Sequence, residues 1–148
     1  MSLTPLHRFM DIVTARVRGR LLALCDASDL DGLVSAALFK MKHPEGIVVF
    51  AGPSEVKRSF IIRSTKWYFV ADLPCPGKAV IRAGHHRTNP PCAAREFYDP
   101  EAPAAAVMAA KALELEGDGK ADRLVGWAVE ADTANITSPC LLYTSDAA

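Results

Sequence analysis

Apolar residues recur along this chain with two different periods. Leu6, Phe9, Met10, Val13 and Val17 stand three or four apart and predict an amphipathic helix over 5–18, ended by Gly19. Arg20–Cys25 is a short continuous apolar run, the pattern of a strand buried on both faces. A polar turn over 26–32 leads into Leu33–Met41, where Val34, Ala37, Leu38 and Met41 share a helical face. His43-Pro44-Glu45-Gly46 is a turn, and Ile47–Phe50 reads as a second strand. A short helix is expected within 54–64, a third strand at Trp67–Ala71 and a fourth at Ala79–Ala83. The remainder alternates loop and helix. Asp99-Pro100 is expected to cap an Ala-rich helix near 102–116, with Met108, Ala112 and Leu115 on one face. Asp118 caps another, in which Ala121, Leu124, Ala128 and Ala131 repeat. Strands alternating with helices predict an α/β fold: a Rossmann-like parallel sheet of about four to five strands with helices on both faces. In such sheets the chemistry gathers at the carboxyl ends of the strands.

Composition narrows the class. The 148 residues fit one domain, and half of them are hydrophobic, enough for an ordinary core. Seventeen Lys and Arg against seventeen Asp and Glu argue against a generally basic, nucleic-acid-coating protein. No apolar run approaches the ~20 residues that span a bilayer. The first twenty residues carry His7, Arg8, Asp11, Arg16, Arg18 and Arg20 without an apolar signal segment. A cytoplasmic protein with no membrane partner is the expectation. The cysteines at 25, 75, 92 and 140 form no CxxC pair, so neither a zinc site nor a disulfide framework is expected. Cys25 ends an apolar run and should pack as a small buried hydrophobe; the other three read as reduced loop thiols.

The candidate chemistry lies after the strands. Asp29 and Asp31 follow the first strand, Asp72 ends the third, His85-His86 follow the fourth, and Asp132 closes the last helix. Taken singly, each Asp is an ordinary helix cap or turn former, and a His-His pair in a loop is ordinary surface. Taken in order, with Asn89 four residues beyond His85, they would form one pocket of oxygen and imidazole donors. Such a donor set suits Mn²⁺ or Mg²⁺ better than a thiolate-seeking metal. An EF-hand loop placing Asp31-Gly32 at its fifth and sixth positions would need an acid at 27 and Glu at 38. The chain has Ala27 and Leu38, so that reading fails. An aspartyl-phosphate phosphatase of the haloacid dehalogenase kind would need its nucleophilic Asp directly after the strand and Thr after Gly32. Asp26-Ala27-Ser28 intervenes and Leu33 stands in place of the Thr, which leaves it a distant alternative.

The order of motifs resembles the DHH phosphoesterase family. Ser28-Asp29-Leu30-Asp31-Gly32-Leu33-Val34-Ser35-Ala36-Ala37-Leu38 is similar to its first motif, and Val70-Ala71-Asp72-Leu73-Pro74 to its second. Gly84-His85-His86-Arg87-Thr88-Asn89 is similar to the Asp-His-His-x-x-Asn signature, and Glu130-Ala131-Asp132-Thr133-Ala134 to the fourth Asp motif. The resemblance covers about residues 20 to 139. It implies Asp29, Asp31, Asp72, His85 and Asp132 as metal ligands, with Asp72 bridging two Mn²⁺ (or Mg²⁺) ions. It further implies His86, Arg87 and Asn89 as phosphate-binding groups, with metal-activated water as the attacking group.

Two positions depart from the pattern. Ala27 stands where the family has His or Asp, and Gly84 where it has the signature Asp. Asp26 is the nearest carboxylate to position 27. One ion site is therefore expected to be weakened. Family members also carry a second, substrate-reading domain that finds no match here, so residues 1–139 read as an incomplete catalytic domain. Residues 140–148 resemble translated adapter read-through and read as a non-native tail. The expected function is hydrolysis of a phosphodiester or phosphoanhydride in a phosphate-containing small molecule or short nucleic acid. A catalytically degenerate nucleotide- or metal-binding module is the alternative.

Overall fold

The computed structural model describes residues 4–135. Its centre is a sheet of five parallel strands in the order β2-β1-β3-β4-β5, namely β1 (Leu22–Asp26), β2 (Ile47–Ala51), β3 (Trp67–Ala71), β4 (Ala79–Gly84) and β5 (Ala93–Tyr98). The chain passes from β1 to β2 on one side, then crosses back to lay β3 on the other. This reversal opens a crevice at the carboxyl ends of β1 and β3. Six helices cover the sheet: α1 (Pro5–Val17), α2 (Leu30–Lys42), α3 (Pro53–Arg58), α4 (Phe60–Ser64), α5 (Ala105–Ala112) and α6 (Gly119–Asp132).

The two faces of the central strands build two cores, by strict alternation in β1 and from Phe69 onward in β3. Leu22 and Leu24 of β1, with Trp67 and Val70 of β3, meet Ile12 and Ala15 of α1, Val56 of α3 and Ile62 of α4. Ala23, Cys25, Phe69 and Ala71 point the other way, to Val34 and Leu38 of α2, Met108 of α5 and Ala128 of α6. Small residues dominate this second face, so α2 and α5 lie close against the sheet, and α6 packs on α2 and α5. Cys25 is fully buried, as expected.

Several expectations need correction. The stripe Leu6, Phe9, Met10, Val13 and Val17 of α1 faces outward, with Val17 80% exposed. The helix buries Ile12 and Ala15 against the sheet and Arg8 in a bidentate pair with Glu55 at 2.6 and 3.0 Å instead. The helix within 54–64 is two helices, broken at Ser59, which N-caps α4 by accepting from Ile62 N–H. The Ala-rich helix is shorter than 102–116. β5 lies in a segment read above as loop and makes the sheet five strands, within the expected four to five. Cys75 and Cys92 form a disulfide, so those two loop thiols are not reduced. Residues 136–148, including Cys140 and the suspected tail, lie outside the described residues. No helix among the described residues is long and apolar enough to cross a membrane.

Candidate metal centre

The end of β1 and the start of α2 form one packed turn. Asp26 is the last residue of β1 and is buried; its Oδ1 accepts from the Ser28 N–H at 2.8 Å and the Ser28 hydroxyl at 2.6 Å. Asp29 N-caps α2, accepting from Gly32 N–H at 2.9 Å. Gly32 has a steric role here: a Cβ there would stand 2.4 Å from the Asp26 carbonyl oxygen. Only glycine lets the first turn of α2 close onto the strand end.

Asp31, 2% exposed, reaches across to α5. Its two carboxylate oxygens accept from the N–H groups of Ala105 and Ala106, each at 2.6 Å. Ala104, the N-cap residue, has no side-chain acceptor to offer, so Asp31 caps α5 from another element. Asp99 does not cap that helix; its carboxylate closes a local turn by accepting from Glu101 N–H at 2.9 Å. Each Asp31 oxygen keeps a second lone pair for a further partner.

Asp72 leaves β3 with φ of 55°, in the left-handed region that few non-glycine residues occupy. It is 3% exposed, and burial, followed by the charges of Asp31, Asp29, Asp26 and Asp132, pushes its carboxyl up to about 8. Burial likewise raises Asp31, opposed by the two amide hydrogen bonds.

His85 Nδ1 lies 3.1 Å from the Ala102 carbonyl oxygen. A carbonyl only accepts, so Nδ1 carries the hydrogen, and in the neutral ring Nε2 presents a lone pair. That Nε2 is buried without a hydrogen-bond partner. It faces Asp31 at 3.8 Å, Asp132 at 3.9 Å and Asp72 at 4.0 Å. His86 Nε2 stands 3.0 Å from Asp72 Oδ1, within ion-pair range but outside hydrogen-bond alignment, and Oδ1 is itself unpartnered. The His86 side chain is half exposed, at the solvent edge of the cluster.

The five residues Asp29, Asp31, Asp72, His85 and Asp132 therefore converge, although they come from β3, α2 with its cap, α6 and a loop. Three overlapping donor groups result, each with ligand atoms within 4.8 Å of one another: Asp72, His85 and His86; Asp31, His85 and Asp132; Asp26, Asp29 and Asp72. Hard oxygens, one or two imidazoles and two orphaned buried acceptors fit a divalent cation of the Mn²⁺ or Mg²⁺ kind. The His85 Nδ1 contact to a carbonyl is the outer-shell arrangement that orients metal-binding imidazoles. Cys25 lies beneath this floor, its thiol held protonated by burial and by the Asp72 and Asp26 charges.

Arg87 and Asn89 sit differently. The Arg87 guanidinium is engaged by the exposed Glu101 carboxylate. Asn89 shapes the loop through its backbone, donating to the His86 carbonyl at 3.1 Å and accepting from Arg82 at 3.2 Å. Arg82 and Glu96 were not anticipated. Arg82 is 1% exposed, pairs with Glu96 at 3.0 Å, and holds the loop from below. A lone Arg inside the apolar run Ala79–Ala83 was the available signal.

The chain is similar to the pGpG-specific phosphodiesterase PggH from Vibrio cholerae. The TM-score is 0.58 at 21% identity, over 80% of this chain and 38% of that one. This likeness shows the shared fold, and the match spans well under half of the neighbour's length. No protein-family model matches the chain, and no curated protein does.

Proposed function

We propose that this chain carries the metal-dependent catalytic centre of a phosphoesterase of the DHH kind, acting on a phosphodiester in a nucleotide or short nucleic acid. The observation that carries this reading is His85 Nε2, buried, unpartnered and facing three carboxylates from three separate elements at 3.8–4.0 Å. Three carboxylates around one imidazole nitrogen concentrate negative charge where a cation would be held. The fold shared with a phosphodiesterase supports the substrate class.

In this reading Asp29, Asp31, Asp72, His85 and Asp132 hold metal, and Asp26 joins Asp29 and Asp72 where Ala27 supplies no donor. Asp72 belongs to two of the three donor groups, which suits it to bridge two ions. A divalent ion bound there supplies Lewis-acid polarisation of a phosphoryl oxygen and lowers the pKa of water. The protein's own part is positioning. Asp31 and His85 are pre-oriented by backbone contacts, so little reordering accompanies binding. His86, at the solvent edge and 3.0 Å from Asp72, can donate a hydrogen bond to a phosphate oxygen. Arg87 reaches a phosphate only by exchanging its exposed Glu101 partner, a weak pairing to break. Asn89 serves through the loop or through its amide.

The test is hydrolysis of bis-p-nitrophenyl phosphate, and of a 5′-phosphorylated dinucleotide, with Mn²⁺. Turnover abolished in Asp72→Ala and reduced in His86→Ala supports the proposal; no turnover with any divalent ion sinks it. A second reading, binding without turnover, draws on Ala27 and Gly84, where two donor positions are unfilled. Mn²⁺-dependent nucleotide binding with no hydrolysis would select it.

A further inference from the structure

Two loops bring opposite sides of the centre together. The β3–β4 connection opens with Asp72, and the β4–β5 connection carries His85 and His86. The β3–β4 register ends at Ala71↔Ala83, and past it the Asp72 N–H donates to the Ala83 carbonyl at 3.0 Å. Farther along, the Cys75–Cys92 disulfide joins the loops, with a Cα–Cα distance of 5.9 Å and 17 residues of separation. Cys75 follows Asp72 by three positions, and Cys92 follows His86 by six.

The bond also completes a ring of contacts. Cys92 N–H donates to Glu96 Oε1 at 2.6 Å, and Glu96 Oε2 accepts from Arg82 at 3.0 Å. Arg82 donates to the Asn89 carbonyl, and Asn89 N–H to that of His86. Asp72 is thereby tied covalently to the anchor of the His85–His86 loop. Both cysteines are partly exposed, within reach of a small thiol, whereas Cys25 is fully buried.

We infer that the Cys75–Cys92 bond is a positioning element of the metal centre, so that its thiol–disulfide state sets metal affinity. The inference rests on the metal-centre reading above. Opening is a balanced exchange with a dithiol. One reductant thiolate attacks a cysteine sulfur, forming a mixed disulfide and releasing the other cysteine as thiolate. The second reductant thiolate then displaces the first cysteine, closing the reductant's own disulfide. Two electrons and two protons pass to Cys75 and Cys92. A low-molecular-weight disulfide reverses the exchange, taking up those electrons and protons as two thiols. With the bond open, the Asp72 N–H to Ala83 carbonyl hydrogen bond still joins the loops at the strand ends, but the covalent link farther out is lost and the Asp72–His85–His86 spacing relaxes.

The experiment titrates the full chain with Mn²⁺, reading free ion by its electron paramagnetic resonance signal. Three forms are compared: air-oxidised; reduced with dithiothreitol, alkylated with iodoacetamide and freed of reagent; and the Cys75→Ser/Cys92→Ser variant. Opening the bond should weaken Mn²⁺ binding about tenfold, the scale of losing a ligand-orienting partner. The serine variant should match the alkylated form, and reoxidation before alkylation should restore the tight form. Equal affinity in oxidised and reduced protein overturns the inference while leaving the metal centre intact. Absence of Mn²⁺ binding in both states overturns the metal-centre reading and this inference with it. Alkylation of both Cys75 and Cys92 in the air-oxidised protein, mapped by peptide mass, also overturns it. If the serine variant does not fold, the wild-type pair decides, with far-UV circular dichroism on the reduced form. Loss of that dichroism together with Mn²⁺ binding counts against the inference, since the bond then holds the fold rather than the site.

Discussion

His85 Nε2 stands 4.0 Å from Asp72 Oδ1, both atoms are buried, and neither has a hydrogen-bond partner. With the imidazole neutral Nε2 is an acceptor, and it faces an Asp72 carboxyl that burial pushes up to about 8, with no hydrogen bond between them. An orphaned buried polar atom costs about 1–3 kcal/mol, and here two occur side by side. The chain keeps Asp72 in a left-handed backbone conformation to bring this about. A cation held among these groups would relieve that cost.

Asp72→Asn should separate binding from stability. In chelator-treated protein at pH 7 it removes a carboxyl whose ionisation is disfavoured first by burial and then by the charges of Asp31, Asp29, Asp26 and Asp132. Unfolding free energy is expected to rise by up to about 4 kcal/mol, the roughly three units between 3.8 and pH 7 at about 1.4 kcal/mol each. Mn²⁺ binding should fall at least tenfold in the same variant. Urea denaturation with and without Mn²⁺ checks both; a variant less stable when chelated would contradict the electrostatic account.

The pH dependence of the metal-free protein follows from the same residue. The unfolded chain releases the Asp72 proton near 3.8, while the folded protein retains it up to about 8. Between those values the native state binds the extra proton, so stability falls as pH rises, by at most about 1.4 kcal/mol per pH unit. Asp31, raised for the same reason, adds in the same direction. Chelated protein should therefore be more stable at pH 5 than at pH 8, and Mn²⁺ should narrow the difference. A flat or rising chelated profile over that window would refute the assignment.

Asp31 and Asp132 should part company when each is changed to alanine. Asp31→Ala leaves the buried N–H groups of Ala105 and Ala106 without acceptors and uncaps α5. A loss of about 1–3 kcal/mol is expected, with or without metal. Asp132 is exposed at the end of α6, so its alanine variant should change thermal stability little without metal while weakening Mn²⁺ binding. Thermal melts in chelator and in Mn²⁺ distinguish them; equal melting points for the two chelated variants would deny Asp31 its capping role.

Gly84→Asp should be accepted by the fold. A Cβ at 84 meets nothing within 4 Å, unlike one at Gly32. The added carboxylate, next to His85, is expected to tighten Mn²⁺ binding several-fold, on the scale of gaining an outer-shell partner. Calorimetric titration measures it, and weaker binding in a folded variant would show that position 84 does not address the centre.

Much of the architecture was readable because local rules governed it. β1 and β3 are apolar runs buried on both faces, and Asp118 is followed by amides at Lys120 and Ala121 that it caps directly. β5 escaped notice because Ala93-Ala94-Arg95-Glu96-Phe97-Tyr98 is an edge strand with one sheet neighbour and mixed polarity. Its strand state comes from pairing with β4, a contact without local signature. The stripe on α1 predicted a helix correctly and its buried face wrongly. Period reports that a face exists, whereas packing of Ile12 and Ala15 against the sheet, with the Arg8–Glu55 pair spanning 47 residues, accompanies the face that turns inward.

The centre divides in the same way. The sequence by itself determined which donors are available and that they follow strands, since an acid after an apolar run must emerge at a sheet edge. Tertiary structure alone decided that Asp31 caps a helix more than seventy residues away and that Asp26 joins Asp29 and Asp72. It also decided that two cysteines without a motif meet across the loops. The physical reason is range. Helix and strand signals act over a few residues of chain, but caps, ion pairs and disulfides between elements depend on where the parallel sheet sets its loops down.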